Sequence, residues 1–121
     1  METQERQTDL ILNRWTDIKH ILVDYLIKGR NPGHFLYAVL ANDLTDAVCF
    51  ADPSSLALLK ATVKLVYNEL SSMARGSKKR VNLWMEQPHP GIRAEFEFKI
   101  LNAELSNYDS ALPFDSIYAK R

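Results

Sequence analysis

The 121-residue sequence has little of several features that would indicate a familiar class of protein. Its single cysteine excludes an intramolecular disulfide, and its four glycines form neither of the glycine-rich motifs that hold phosphates. No apolar run approaches the roughly 20 residues needed to cross a bilayer. Fifteen basic and fifteen acidic residues cancel, so no overall charge favours nucleic acid or an anionic membrane.

What is present is an ordinary globular composition. Hydrophobic residues make up 46% and charged residues 25% of the chain, a balance that buries a core without disulfides or metals. The single cysteine, Cys49, lies in the apolar residues 47–51, which predicts a buried thiol and a reducing compartment. Residues 1–9 are polar and do not resemble a secretory leader. We therefore expect a cytoplasmic protein that does not enter membranes.

Apolar residues recur every three or four positions in several stretches, which is typical of amphipathic helices. Thr8 or Asp9 is the expected N-cap of the first helix, and Gly29 is its expected end. Asn31–Pro32 and Asp52–Pro53 each place a capping residue before a proline, which predicts two further helix starts. The sequence predicts an all-α fold, a compact bundle of four or five short helices. The expected core faces are Ile11 and Trp15, then Phe35, Leu36 and Val39, then Leu59 and Val63, and finally Val81 and Trp84.

Residues 92–108 fit two structures. Apolar and polar residues alternate over residues 92–100, as in a half-buried strand, whereas Ala94, Phe98 and Leu101 also share one face of a helix. Seventeen residues without a helix breaker exceed a usual strand, and a lone strand needs a partner chain. We therefore expect a helix, with a C-terminal strand over residues 92–100 and a homodimer formed through it as the alternative.

The proline-rich residues 87–91 form the one plausible internal boundary. They divide a helical core, residues 1–87, from residues 88–121, which hold the connector, the ambiguous segment and an apolar tail. We expect residues 88–121 to pack on the same domain. The tail, residues 109–121, either packs back on that domain or docks on a partner as an extended segment.

No group of residues has the spacing of a catalytic or metal site. His20 and Asp24 share a helix face, but a zinc site needs three or four convergent ligands. Asp43 and Asp46 are typical of solvent-facing or capping carboxylates rather than of an acid–base pair in a cleft. The apolar neighbours of Cys49 do not activate a thiol. We therefore expect a protein that is not an enzyme and that has no cofactor and no metal.

The strongest local signal is a basic cluster at the start of a predicted helix that Ser77 can cap. Residues 53–91 carry six Lys or Arg and two Asp or Glu. This cluster suits an acidic protein surface or, with an indole that stacks on a base, nucleic acid. A solvated loop and a core tryptophan are the ordinary interpretations of the same residues. The candidate partner-binding residues are Arg75, Lys78, Lys79, Arg80 and Trp84.

The stretch from Tyr25 to Trp84 resembles a family of small bacteriophage and prophage proteins with no established function. It carries the pattern P-G-x-F-L-x-A-V-L-x-N-D-L over residues 32–44, followed by A-D, Y-N-E-L-S-S, G-S and the closing tryptophan. Ser71 stands where the pattern has proline, and residues 78–80 are more basic than the pattern. The resemblance supplies no catalytic residues. It implies an accessory protein of a mobile element.

The function predicted from these observations is non-catalytic binding. The expected partner is a host protein or complex, and inhibition of a host defence complex is one activity that the resemblance implies. The alternative is a small nucleic-acid-binding protein that uses the basic cluster from Arg75 to Arg80.

Overall fold

The computed structural model describes residues 2–86 and 94–108, in which the chain forms seven α-helices and no strand. The all-α prediction is confirmed, and the strand alternative is wrong for residues 94–100 because these residues are helical. Short 3₁₀ turns occur at Ser72–Ala74 and Leu105–Asn107. The helices are α1 (Glu2–Lys28), α2 (His34–Leu40), α3 (Leu44–Phe50), α4 (Pro53–Ala57), α5 (Leu59–Glu69), α6 (Lys78–Glu86) and α7 (Ala94–Leu101).

The helices are more numerous than predicted because two apolar stretches are interrupted. Asn42 adopts the left-handed φ of 61° and separates α2 from α3, a conformation that asparagine tolerates better than most residues. The Asp43 side chain then accepts the Asp46 backbone N–H at 3.0 Å and caps α3. Asp52 caps α4, with Pro53 in the first turn, as predicted. Leu58 interrupts the helical path between α4 and α5.

The predicted end of α1 is confirmed, but its predicted start is wrong. Gly29 ends the helix at φ 68°, where its N–H donates to the Tyr25 carbonyl at 3.0 Å. The helix begins at Glu2 rather than at Thr8 or Asp9. Residues 2–7 are mostly Glu, Gln and Arg, residue types with high helix propensity, and acidic residue types are favourable near a helix N-terminus. These residues include no helix breaker, so the helix can begin before Thr8.

Asn31 does not cap α2, contrary to the prediction. The helix starts at His34, and Gly33, with φ 86°, occupies the capping position. The Asn31 side-chain oxygen instead accepts the Gly33 N–H at 2.9 Å. This local turn moves Pro32 out of the helix and places it in a buried position. An asparagine can satisfy a turn as well as a helix end, and the sequence does not distinguish the two.

The long helix α1 is the centre of the fold, and it contacts α4, α6 and α7. The predicted faces of α1, α2 and α6 are confirmed in part, while Ile11 and Phe35 lie partly exposed at the core's edge. The predicted face of α5 is wrong, because Leu59 and Val63 also lie at this edge. The buried face of α5 lies one position away, where α2, α4 and α7 contact the helix. The fully buried residues are Leu58, which precedes α5, and Ala61, Thr62, Leu65 and Val66 within it.

Residues 94–108 attach to α1 and α5. The Trp15 indole N–H donates to the Ala103 carbonyl at 2.9 Å, and Lys19 Nζ donates to the Leu101 carbonyl at 2.9 Å. Burial at this contact lowers the pKa of Lys19. The predictions for the connector, residues 87–91, and for the tail, residues 109–121, lie outside the described residues. None of the described helices combines the length and apolar character needed to span a membrane.

Candidate binding surface

Arg75 lies against the protein and does not point freely into solvent. Its guanidinium carbon is 4.5 Å from the centre of the Tyr67 ring, a cation–π distance. Its Nε donates to the Leu70 carbonyl at 3.3 Å, and an Nη donates to the Tyr67 carbonyl at 3.4 Å. Arg75 therefore stabilises the end of α5, and its contribution to a binding surface is small.

The other three cations form the first turn of α6 and are exposed. Ser77 caps this helix as predicted, because its Oγ accepts the Arg80 backbone N–H at 3.2 Å. Lys78 Nζ lies 3.9 Å from the Asp43 carboxylate, and an Arg80 Nη donates to the Ser72 carbonyl at 3.2 Å. Within the described part of the chain, neither Lys79 nor Arg80 has an acidic partner. These two positive charges remain available to another molecule.

Trp84 belongs to the core and not to the candidate site. It is 7% exposed, and its indole N–H donates to the Tyr25 carbonyl at 3.2 Å. Its ring packs at 6.5 Å from the Tyr25 ring. The spacing of three residues from Val81, which is fully buried, places both side chains on the inner face of α6. Trp84 therefore has no ring face free to stack on a base.

Two exposed apolar residues lie beside the cations. Leu83 is 51% exposed, three residues from Arg80 and four from Lys79, so the three side chains share a face of α6. Met73 is 71% exposed and follows Ser72, whose carbonyl Arg80 contacts. We call Met73, Lys79, Arg80 and Leu83 the α6 surface. The apolar part of the α6 surface was not predicted from the sequence. Leu83 could have indicated it, because this residue lies off the helix face that Val81 and Trp84 share.

A cleft of about 300 Å³ opens between α2, α3 and the first turn of α6. It brings together residues that are separate in the sequence, namely the Asp43 and Asp46 pair, His34 and Lys78. The His34 and Phe50 rings meet edge to face, with centroids 4.8 Å apart. Two further lining residues are Asn31 and Tyr37, and the Tyr37 hydroxyl is 2.8 Å from Asn82 Oδ1 on α6. We call this cavity the α3 cleft.

Cys49 is exposed, which contradicts the prediction of a buried thiol. The helix α3 has seven residues and packs chiefly against α2, and only Ala47 is fully covered. Val48 and Phe50 on the same helix are 44% and 52% exposed. An apolar stretch this short indicates burial only when a second element covers it, and the outer side of α3 has no such cover among the described residues.

The described residues contain no group of three or more His, Cys, Asp or Glu placed to hold a metal. His20 is exposed, and Asp24 lies 4.0 Å from Lys28 across one helical turn. Asp52 acts as the predicted cap, because its carboxylate accepts the Ser55 backbone N–H at 2.7 Å. That hydrogen bond, together with Ser54, Ser55 and the Arg14 guanidinium, lowers the Asp52 pKa to about 2.

Comparisons of the chain with protein-family models, with curated proteins and with solved structures found no match. The resemblance to small phage proteins therefore stays a prediction based on residues 32–44 and the motifs that follow.

Proposed function

We propose that this protein is a non-catalytic binding protein whose α6 surface contacts an acidic protein partner. The main support for this proposal is that exposed positive charge, at Lys79 and Arg80, lies beside exposed apolar side chains, at Met73 and Leu83. Interfaces combine an apolar centre with polar groups at the rim. The partner that matches this surface places carboxylates opposite the two cations and apolar side chains opposite Met73 and Leu83.

The side-chain contacts favour a protein partner over nucleic acid. Of the four predicted cations, Arg75 stacks on Tyr67 and Lys78 lies near Asp43, which leaves Lys79 and Arg80. Nucleic-acid binding depends on neutralising many phosphates and on aromatic rings that stack with bases. Trp84, the only aromatic residue in the predicted cluster, is buried. A nucleic acid would also leave Met73 without an apolar contact.

The first turn of α6 breaks a local stability rule, which supports a functional role for it. Three consecutive cations stand at the positive end of the helix dipole, and the turn has no acidic residue. A charge of the unfavourable sign at such a position costs about 0.3–1 kcal/mol. Places where a sequence departs from such local rules are often functional sites. The resemblance to phage proteins supports a host protein as the partner, and inhibition of a host defence complex is consistent with that role.

The test is charge reversal of Lys79 and Arg80 together. We expect the wild-type protein, used as bait in a bacterial extract, to retain a protein that mass spectrometry identifies and that binds again when both are purified. The double variant K79E/R80E should reduce that binding by at least about tenfold, a loss of about 1.4 kcal/mol. Its melting temperature should stay nearly unchanged, because glutamates at the start of α6 interact favourably with the helix dipole.

The matched control is K64E on the exposed side of α5, which should bind as the wild type does. Equal binding by K79E/R80E and the wild type would remove the α6 surface from the proposed function. A gel-shift assay with duplex and single-stranded probes at low salt tests the rival function. A shift that K79E/R80E abolishes would replace the protein partner with nucleic acid.

A further inference from the structure

We infer that the α3 cleft receives one aromatic side chain with an N–H or O–H donor, Trp or Tyr, from the same acidic partner. This inference rests on the proposed function, because it adds an anchor pocket to the charged and apolar contacts of the α6 surface. Binding energy in protein interfaces is concentrated in a few aromatic anchors that fill pockets near the centre. The anchor therefore decides which acidic surfaces the protein selects.

The cleft has the size and the walls that an aromatic ring needs. Its volume is about 300 Å³, and its apolar walls include Phe50, which is 52% exposed. The edge-to-face contact with His34 holds the Phe50 ring in place. A partner ring beside Phe50 can adopt the offset or edge-to-face geometry that aromatic pairs prefer. Tyr37 also lines the cleft, and its hydroxyl donates to Asn82 Oδ1 of α6 at 2.8 Å.

A half-buried carboxylate in the cleft, which has neither a hydrogen bond nor an ion pair among the described residues, explains why the anchor should carry a donor. Asp43 Oδ1 accepts the Asp46 backbone N–H, and the Asp43 carboxylate lies 3.9 Å from Lys78. The Asp46 carboxylate is half-buried in the same cleft and accepts no hydrogen bond from the described residues. An indole N–H or a phenol O–H would satisfy it, whereas a phenylalanine ring would leave it without a donor. This preference excludes a purely aliphatic anchor.

The cleft and the α6 surface are continuous through Lys78, which lines the cleft and begins α6. The carboxylates of the partner must face Lys79 and Arg80 and not the cleft itself, because Asp46 would repel them there. The partner segment therefore has two different ends, a neutral aromatic residue at the cleft and acidic residues at Lys79 and Arg80. The positive charges of Lys79 and Arg80 and the Asp46 carboxylate therefore together favour an acidic partner that places a Trp or Tyr side chain in the cleft.

Three synthetic peptides test the inference with the full-length protein, followed by ¹⁵N–¹H NMR. The first places one Trp beside a run of Glu, the second replaces the Trp with Ala, and the third replaces the Glu run with Lys. We expect the first peptide to shift the amide signals of Phe50 and of Lys79. The other two peptides should bind at least about tenfold more weakly, a difference of about 1.4 kcal/mol.

Variants of the protein separate the cleft from the charged surface. F50A and D46A should each weaken binding of the first peptide, whereas V48A is the matched control, because Val48 is exposed on α3 and does not line the cleft. D46A should also reduce the preference for Trp over Phe, which a fourth peptide with Phe in place of the Trp measures. The backbone spectrum of each variant reports directly whether the protein remains folded.

Each outcome decides a different claim. Binding that K79E/R80E abolishes and F50A leaves intact overturns the anchor pocket and keeps the proposed function. Binding that needs Phe50 but not Lys79 or Arg80 overturns the charged surface. Equal binding of the Trp and Ala peptides, or no binding of the Trp peptide, overturns the anchor. Equal binding of the acidic and basic peptides, which both carry the Trp, overturns the charged surface. Sedimentation is run in parallel, and a dimer that F50A dissociates would identify a second copy of the chain as the occupant instead.

Discussion

At the scale of single residues, two aspartates have the same role, but only one of these roles was predicted from the sequence. Asp43 and Asp52 both cap helices, and each also lies near a cation, Lys78 or Arg14. The sequence predicted the role of Asp52, because the following proline marks a helix start. It left the role of Asp43 open between capping and solvent exposure. A proline signal is local, whereas the Lys78 contact joins positions 35 residues apart.

Removing the Asp52 cap should cost stability in a pH-dependent way. D52A is expected to destabilise the protein by about 1 kcal/mol at pH 7, the usual cost of losing a cap. The folded-state pKa of Asp52 is about 2, below the value of about 3.9 in an unfolded chain. The stabilisation is therefore complete above about pH 4 and is lost as the pH falls toward 2. Urea unfolding of both proteins at several pH values measures the gap between them.

The gap between wild type and D52A should narrow as the pH falls toward 2 and close below about pH 2, where Asp52 is protonated in both the folded and the unfolded state. D52N is the control, since asparagine also caps helices but forms no ion pair with Arg14. It should lose less stability than D52A at pH 7. A gap that stays constant from pH 7 to pH 2 would show that the carboxylate charge has no part in the cap.

A second prediction concerns Gly29, which ends α1. G29A should destabilise the protein by at least about 1 kcal/mol, because an L-residue in the left-handed region costs about 1–2 kcal/mol. The added Cβ would also lie 3.0 Å from the backbone oxygen of Met85 on α6. G33A is the comparison variant, since Gly33, at φ 86° and ψ 167°, lies in a region that is essentially restricted to glycine, but its Cβ would meet nothing within 4 Å.

Chemical denaturation of both glycine variants gives the two free energies of unfolding. G33A reports a backbone cost without a steric contact, and that cost is at least as large as the cost of the left-handed region at Gly29. A larger loss in G29A than in G33A therefore reports the close approach to Met85, and a loss in G29A below about 1 kcal/mol would contradict the prediction.

At the scale of elements, α3 is a short helix that is covered on one side, in contrast to the longer, more deeply buried α5. Ala47 is its one fully buried residue, whereas α5 buries Ala61, Thr62, Leu65 and Val66. Helices with few buried contacts open locally more often than helices in the core. Local opening is compatible with the proposed role of α3 as one wall of the α3 cleft, because a helix that moves can accommodate the side chain of a partner.

Hydrogen exchange should reveal this difference. We expect the backbone amides of α3 to exchange at least about tenfold faster than those of α5, which corresponds to an opening free energy lower by about 1.4 kcal/mol. Mass spectrometry of peptides that cover residues 44–50 and 59–69 measures both rates. Adding the Trp-containing acidic peptide should slow exchange in α3 and leave α5 unchanged. Equal protection of the two helices in the free protein would contradict the structural account.

At the scale of the whole molecule, the sequence by itself determined the helical class and most of the core. Apolar periodicity, prolines and Gly29 are local signals, and helices form from local contacts, so these features could be read directly. For residues 94–100, where the periodicity fitted both structures, the length of the uninterrupted segment favoured the helix that the structure shows, although this helix ends at Leu101 and not at residue 108. Hydrophobic residues with helical spacing were buried wherever a second element lay against them.

Only the tertiary structure decided which surfaces remained outside. Cys49 is exposed because nothing described covers the outer side of α3, and Trp84 is buried because α1 lies against α6. Of the predicted cluster of four cations and a tryptophan, only Lys79 and Arg80 lie exposed beside Met73 and Leu83 without a cation–π or acidic contact among the described residues. Pairing such as that of Lys78 with Asp43 depends on how helices far apart in the chain are packed. Local sequence patterns carry no information on that packing, and for that reason the α6 surface could not be predicted in full.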